Sequence, residues 1–375
     1  MKSYIAEKLF QSRVFIMIIS RTPFRISFFG GGTDYPEWYQ EHGGNILSTT
    51  ISHYVYTTCR YLPPFFKHKN RFVWRVIEEI SDHQKSENPI IRSAIEYLSI
   101  NFGVEIHYHG DLPSRSGIGS SSSFAVGLLN ALHAMNESYT SKLELACEAI
   151  HLERNILKET VGVQDQIAAS YGGLNNIKIK QNSDFEVNPV ILPQETKSNL
   201  EKHFLLFFTG ISRYSSEVAT HKVNNFKSKI RNLQKIHQMT DEAIKILTSN
   251  NANLNDFGRL LDEAWSMKKD ISAKISSNVI DDIYTKAKSA GAIGGKLLGA
   301  GGGGFMLLFA PPERHAFIKE SLNDLLHIPF SFENEGSKII YYDQKYNKYI
   351  KNTFHSSSNK NLKTCKKKQS IESVS

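Results

Sequence analysis

Cysteine is nearly absent from this chain. There are three in 375 residues, Cys59, Cys147 and Cys365, far apart and never as a Cys-x-x-Cys pair. That spacing argues against a disulfide framework or a thiolate metal centre and fits a reducing compartment. Long apolar runs are missing too, since none approaches the roughly 20 residues a membrane-spanning helix needs. The short run Val14–Ile19 lacks a small-residue cleavage site and reads as a first strand, with Met17 a candidate start, rather than a signal peptide. A cytoplasmic protein without a membrane partner is the expectation. Charge of one sign is also scarce in the body of the chain. Of the net +8, residues 351–375 hold +5 (Lys351, Lys360, Lys363, Lys366, Lys367 and Lys368 against Glu372) and residues 1–16 hold +2, leaving +1 between. The basicity belongs to the ends, so no nucleic-acid partner is expected, and such a role would have to rest on the tail.

What is present is ordinary globular composition, 40% hydrophobic and 22% charged, at a length suited to two domains. Apolar, β-rich runs mark strands at 16–20, 24–29, 54–61, 72–77, 104–108, 204–208, 305–309, 328–332 and 339–342. Helical periodicity marks 89–102, 120–132, 140–159, 163–170, 216–248, 254–270, 279–289 and 313–325. Strands and helices mixed without strict alternation point to an α+β fold. The polar stretch Gln181-Asn182-Ser183-Asp184 and the prolines after it suggest a domain break near 180–200. The expected domains are 16–185 and 200–345, followed by a basic, disordered tail over 346–375.

The richest segment is Asp111-Leu112-Pro113-Ser114-Arg115-Ser116-Gly117-Ile118-Gly119-Ser120-Ser121-Ser122-Ser123, between a strand and a helix. Unpaired N–H groups at a helix start bind phosphate when glycines let it approach, and the serines add hydroxyls for phosphate or magnesium. One serine would be a helix cap, but four exceed what a cap requires. No Gly-Lys-Ser/Thr follows, so this is not a Walker A loop, and Ser123 stands where a nucleophile elbow needs glycine. Gly299-Ala300-Gly301-Gly302-Gly303-Gly304 matches G-x-G-x-x-G in form only, because it opens a strand rather than a helix. It reads as a close-approach loop or a tight turn.

Arg25 to Tyr35 runs from a strand through Gly30-Gly31-Gly32 to Thr33 and Asp34. It reads either as a site for a polyhydroxylated ligand or as a glycine turn with a solvated Asp. Glu153 sits at the edge of an apolar stripe, where a carboxylate needs either a cation such as Arg154 or a bound metal. Asp165 opens a helix, where an acid also complements the helix dipole. His107 and His109 share a strand face without a third ligand and read as structural.

In this order, these segments resemble the GHMP kinases (galactokinase, homoserine kinase, mevalonate kinase and phosphomevalonate kinase). Pro113 to Ser121 fits their Pro-x3-Gly-Leu-Gly-Ser-Ser loop with Ile118 for Leu, and Gly299–Gly304 fits their C-terminal glycine loop. Arg25 to Tyr35 is similar to the first galactokinase motif, with Gly31-Gly32 in place of Glu-His, and Gly162 to Gln166 resembles the catalytic-Asp segment. Within the family, Arg21–Pro36 and Gly295–Phe305 look most like D-glycero-D-manno-heptose 7-phosphate kinases.

The resemblance implies a ribosomal-protein-S5-like N-terminal domain that binds ATP, a ferredoxin-like C-terminal domain and a site between them. It implies ATP-dependent phosphorylation of the anomeric hydroxyl of a heptose 7-phosphate. ATP would lie on Ser116, Gly117, Ile118, Gly119, Ser120, Ser121 and Ser122. Mg2+ would sit on Ser121 and Glu153, with Asp165 and Arg25 catalytic. The sugar phosphate would meet Gly31, Gly32, Thr33, Asp34, Gly301 and Gly302, with Lys296 and Arg213 as candidate phosphate clamps. A fucose-like or galactose-like substrate, or a non-catalytic sugar or nucleotide sensor, is the alternative. The oligomeric state stays open, a homodimer included.

Overall fold

A computed structural model describes residues 17–64, 66–211, 215–249 and 253–342. Arg213, residues 1–16 and the tail from 343 lie outside the described residues. The chain runs β1 (Met17–Phe29), α1 (Pro36–His42), β2 (Gly44–Tyr61), β3 (Asn70–Val73), β4 (Ile77–Ile80), α2 (Pro89–Tyr97), β5 (Val104–Gly110), α3 (Ser120–Met135) and α4 (Lys142–Ile150). A π-helical turn, His151–Ile156, extends α4. Then come α5 (Gln164–Tyr171), β6 (Asn175–Ile179), β7 (Phe185–Pro189), α6 (Gln194–Lys202), β8 (Phe204–Phe208), α7 (Ser215–Asn224), α8 (Ile230–Thr248) and α9 (Leu254–Lys269). The last elements are α10 (Asn278–Ser289), β9 (Gly294–Leu297), β10 (Phe305–Phe309), α11 (His315–Ser321), β11 (Leu326–His327), β12 (Phe332–Glu333) and β13 (Lys338–Tyr342).

Two sheets organise these elements. The first follows the order β13-β1-β2-β5-β3-β4, with β6 and β12 also pairing with β2 and β7 pairing with β6. The second is antiparallel, β11-β8-β10-β9. Its β8 and β10 (Phe-Leu-Leu-Phe-Phe and Phe-Met-Leu-Leu-Phe) are apolar on both faces because both are covered, and all of β10 is buried. The helix α3 is apolar nearly all round for the same reason. It packs on β1 and β2, and its first turn therefore lies against the strand that carries Arg25.

Several boundaries differ from the sequence expectations. The two N-terminal runs are one strand, β1, with register shifts at Pro23/Phe24 and Ser27/Phe29. The polar stretch 181–184, part of the 180–200 segment expected to separate the domains, is the turn of the β6–β7 hairpin of the first sheet, and the second sheet begins with β8 at Phe204. The closing strands, assigned by sequence to the C-terminal domain, return to the first sheet, where β12 pairs with β2 and β13 with β1. Among the described residues no helix is long and apolar enough to cross a membrane.

Candidate active site

The serine-rich loop enters α3 through Gly119, which takes a left-handed conformation that a Cβ would penalise, and no side chain caps the helix. Each serine has a separate task. Ser116 Oγ donates to the Pro113 carbonyl at 2.6 Å, and Ser120 Oγ accepts from the Arg115 N–H at 3.2 Å. Ser122 Oγ donates to Glu153, Ser123 Oγ donates to the Pro23 carbonyl at 2.9 Å, and Ser121 is exposed. The first-turn N–H groups are thus left to a ligand, at the positive end of a 16-residue helix.

Arg25 and Asp165 meet beside this loop. Arg25 Nε and Nη2 donate to the two Asp165 oxygens at 2.8 Å each, and Nη1 donates to the Gly117 carbonyl at 2.8 Å. Such a fork holds both planes in place. The Arg25 N–H also donates to the Ile118 carbonyl at 3.1 Å, tying β1 to the loop. The space where a Gly119 Cβ would stand lies 3.4 Å from Asp165 Oδ2, so the carboxylate borders the phosphate cradle. Burial raises the Asp165 carboxyl above its usual range, Arg25 opposes that, and Asp34 reinforces it. Desolvation thus outweighs the guanidinium, and the carboxyl sits above the usual aspartate range.

Glu153 lies on the π-helical turn, a distortion that recurs at functional positions. It is fully buried, and its Oε2 accepts from Ser122 Oγ at 2.7 Å and from Gln166 Nε2. Its Oε1 is buried with no hydrogen-bond partner among the described residues. Burial is the main cause that lifts its carboxyl to about 7, with the Ser122 bond opposing and Glu159 adding to it. Arg154, the cation that would have made Glu153 a structural pair, donates instead to the Tyr39 hydroxyl at 3.1 Å. An orphaned carboxylate oxygen next to a hydroxyl-lined phosphate loop suits a hard divalent cation.

On the acceptor side, Asp34 is buried, and its Oδ1 accepts from the Gly32 N–H at 2.9 Å. Thr33 faces away, bonding the Gly30 carbonyl at 2.8 Å and receiving the Asn45 N–H at 3.1 Å, so its hydroxyl holds the turn. The space above Gly31 is open, with Ser27 Oγ nearest at 3.8 Å from a hypothetical Cβ. The space above Gly32 is taken by Lys222 and Leu233. Lys296, expected beside the glycine loop as a phosphate clamp, is buried in β9 and donates to the Phe28 carbonyl at 2.7 Å.

Gly301 and Gly302 pack on Ile275, with the Gly302 N–H donating to its carbonyl at 2.9 Å. The C-terminal glycine loop approaches the phosphate loop closely. The Phe305 N–H donates to the Ser116 carbonyl at 3.1 Å, and a Cβ on Gly299 would stand 2.5 Å from Gly117 Cα. Sequence reasoning missed two buried lysines of this region, Lys222 and Lys268. Nothing in their helices' composition distinguishes them from surface cations.

Two family models match, the GHMP kinases N terminal domain over residues 72–173 and the GHMP kinases C terminal domain over 243–327. The chain belongs to the GHMP kinases. A GHMP kinase is an ATP-dependent phosphotransferase. This GHMP kinase is 29% identical over 339 residues to the D-glycero-alpha-D-manno-heptose 7-phosphate kinase of Campylobacter jejuni, covering 86% of this chain and 98% of that one. It is 27% identical over 326 residues to the bifunctional fucokinase/GDP-fucose pyrophosphorylase of Arabidopsis thaliana, covering 77% of this chain and 29% of that longer protein. Its structure is similar to that of a D-glycero-D-manno-heptose 1-phosphate kinase from Bacteroides thetaiotaomicron, with a TM-score of 0.70 and 25% identity over 85% of this chain and 97% of the other.

Proposed function

We propose that this GHMP sugar kinase transfers the γ-phosphoryl group of ATP to the anomeric hydroxyl of a heptose 7-phosphate. The observation that carries the reading is the Arg25–Asp165 fork next to an uncapped helix start, with the buried Asp34 and Lys222 nearby. The acceptor oxygen attacks the γ-phosphorus, the bond to ADP breaks, and the hydroxyl proton passes to Asp165. Arg25 orients that carboxylate, and the first-turn N–H groups of α3 stabilise phosphate oxygens. Asp34 has its Oδ2 to offer sugar hydroxyls.

Ser121 and Glu153 are the residues that would hold Mg2+, and the partnerless Glu153 Oε1 fits that task. When bound, the ion neutralises charge on the phosphate oxygens. Ser121→Ala and Glu153→Gln are expected to raise the magnesium concentration for half-maximal activity at least about tenfold, the size of one lost charge-assisted contact. Glu153→Gln should not lower the melting temperature, because it removes an uncompensated buried acid and keeps an acceptor for Ser122. An unchanged magnesium titration in both variants would return these residues to structural roles.

The substrate assignment is tested with a panel of heptoses, hexoses and their phosphates scored for ADP release, with the product's phosphorylation position read by NMR. The highest kcat/KM is expected for heptose 7-phosphate, giving the 1,7-bisphosphate. Preference for an unphosphorylated fucose-like or galactose-like sugar, or no turnover with any sugar, would sink the assignment.

A further inference from the structure

Lys222 belongs to no motif, yet it reaches the heart of the site. It is only 3% exposed, although it sits in the polar helix α7. Its Nζ lies 4.8 Å from the centroid of the Tyr35 ring, next to Asp34 in sequence. A Cβ on Gly32, at φ +118, would be 3.2 Å from Lys222 Nζ and Cε, so the lysine packs closely over the bare backbone there. Burial pushes its ammonium below the usual lysine range, and Asp34 and Asp165 oppose that shift only in part. Neither carboxylate forms an ion pair with it among the described residues: Asp165 gives both oxygens to Arg25, and Asp34 Oδ1 takes the Gly32 N–H. The buried amine thus rests over the Tyr35 ring, near two acids but paired with neither.

The neighbouring cations are already engaged. Lys268 Nζ donates to the carbonyls of Leu297 at 3.1 Å and Gly299 at 2.6 Å, and Lys296 Nζ donates to that of Phe28. Arg25 is committed to Asp165 and Gly117. Four basic side chains (Arg25, Lys222, Lys268 and Lys296) thus lie close together around buried Asp34 and partly buried Asp165, and burial pushes Lys296 down to about 7 and Lys268 well below the usual lysine range. Lys222 is the member not committed to a carbonyl or a carboxylate among the described residues, and it stands over Gly32, the residue after Gly31, above which the space is open.

We propose that Lys222 receives an anionic group of the acceptor, of the phosphate-monoester class, and so selects a sugar phosphate over the free sugar. The inference rests on the reading that the acceptor is a sugar phosphate.

The test compares D-glycero-D-manno-heptose 7-phosphate with the unphosphorylated heptose, in wild type, Lys222→Met and Lys222→Arg. Wild type is expected to favour the phosphate by at least about tenfold in kcat/KM. Lys222→Met should abolish most of that preference by raising KM for the phosphorylated acceptor, with the free heptose and the KM for ATP changed by less than about twofold. Lys222→Arg should retain part of the preference. An unaltered preference in Lys222→Met overturns the inference while leaving the substrate reading intact. An equal fall in kcat for both acceptors also overturns it, because the lysine then serves the transferred phosphoryl group. Absence of any preference in wild type fails the substrate reading itself, before a variant is made. Binding of a fluorescent ATP analogue reports folding of each variant. Should the Met variant lose that binding, a preference undiminished in Lys222→Arg, whose forked head does not fit a point-cation site, overturns the inference, and a reduced preference supports it.

Discussion

Replacing Asp165 by Asn is expected to lower kcat by about 10³-fold, within the range that a positioned proton acceptor contributes, while ATP still binds. The amide keeps the shape of the carboxylate but cannot take the acceptor's proton. It also turns one N–H group toward a guanidinium that has only N–H groups to offer, so one arm of the 2.8 Å fork is lost. Arg25, nearly fully buried, then loses its counter-charge, and a fall in melting temperature should accompany the loss of turnover. The two effects separate cleanly: single-turnover rates at temperatures well below melting report chemistry alone. A kcat near that of wild type under those conditions would remove Asp165 from the reaction.

The second large effect is expected at a residue that carries no chemistry. Gly304 adopts φ +101, and a Cβ there would stand 2.1 Å from the Ser116 carbonyl oxygen. Gly304→Ala must therefore move the phosphate loop away from the C-terminal glycine loop, breaking the Phe305 N–H to Ser116 bond. Backbone strain of roughly 1–3 kcal/mol and a lost buried hydrogen bond of about 1 kcal/mol add to the cost of the overlap. A loss of about 3 kcal/mol or more in denaturant unfolding is expected, with a raised KM for ATP. Gly210→Ala is the control. It has a similar backbone requirement, φ +71, but nothing within 4 Å of the added carbon, so it should cost only the strain. Equal losses in the two variants would show that the docking of the loops contributes nothing.

What the sequence disclosed follows from what is local. The phosphate loop and the strand β10 were legible because glycine spacing and apolar runs encode them directly. The alliances of Glu153, Asp165 and Arg25 could be proposed only from the family resemblance, since Arg25 and Asp165 are brought together by packing of α5 and β1 around α3. The first half of β2 went unseen, because Ser48-Thr49-Thr50 gives no alternation when both faces are covered. The break in α4 at residue 151 was invisible, as a π-turn has no compositional mark. Lys222 was hidden for the opposite reason: it looks like any cation of a polar helix, and its close approach to Gly32 is a tertiary contact. The turn at 181–184 could not be told from a linker because hairpin turns and linkers draw on the same Asn, Ser and Asp chemistry.

The return of β13 to β1 bears on the protein's synthesis. Ile18 pairs with Tyr342 and Arg21 with Lys338, so the outer edge of the first strand meets its partner only after nearly all of the chain has left the ribosome. Until then β1 presents unpaired backbone donors and acceptors beside an apolar face, a template for pairing with another nascent chain. The first part of the strand that holds Arg25 is therefore open to misassembly during translation. Premature termination anywhere before residue 338 leaves that edge bare in the released product, so truncated chains should collect in the insoluble fraction even where both glycine loops are intact.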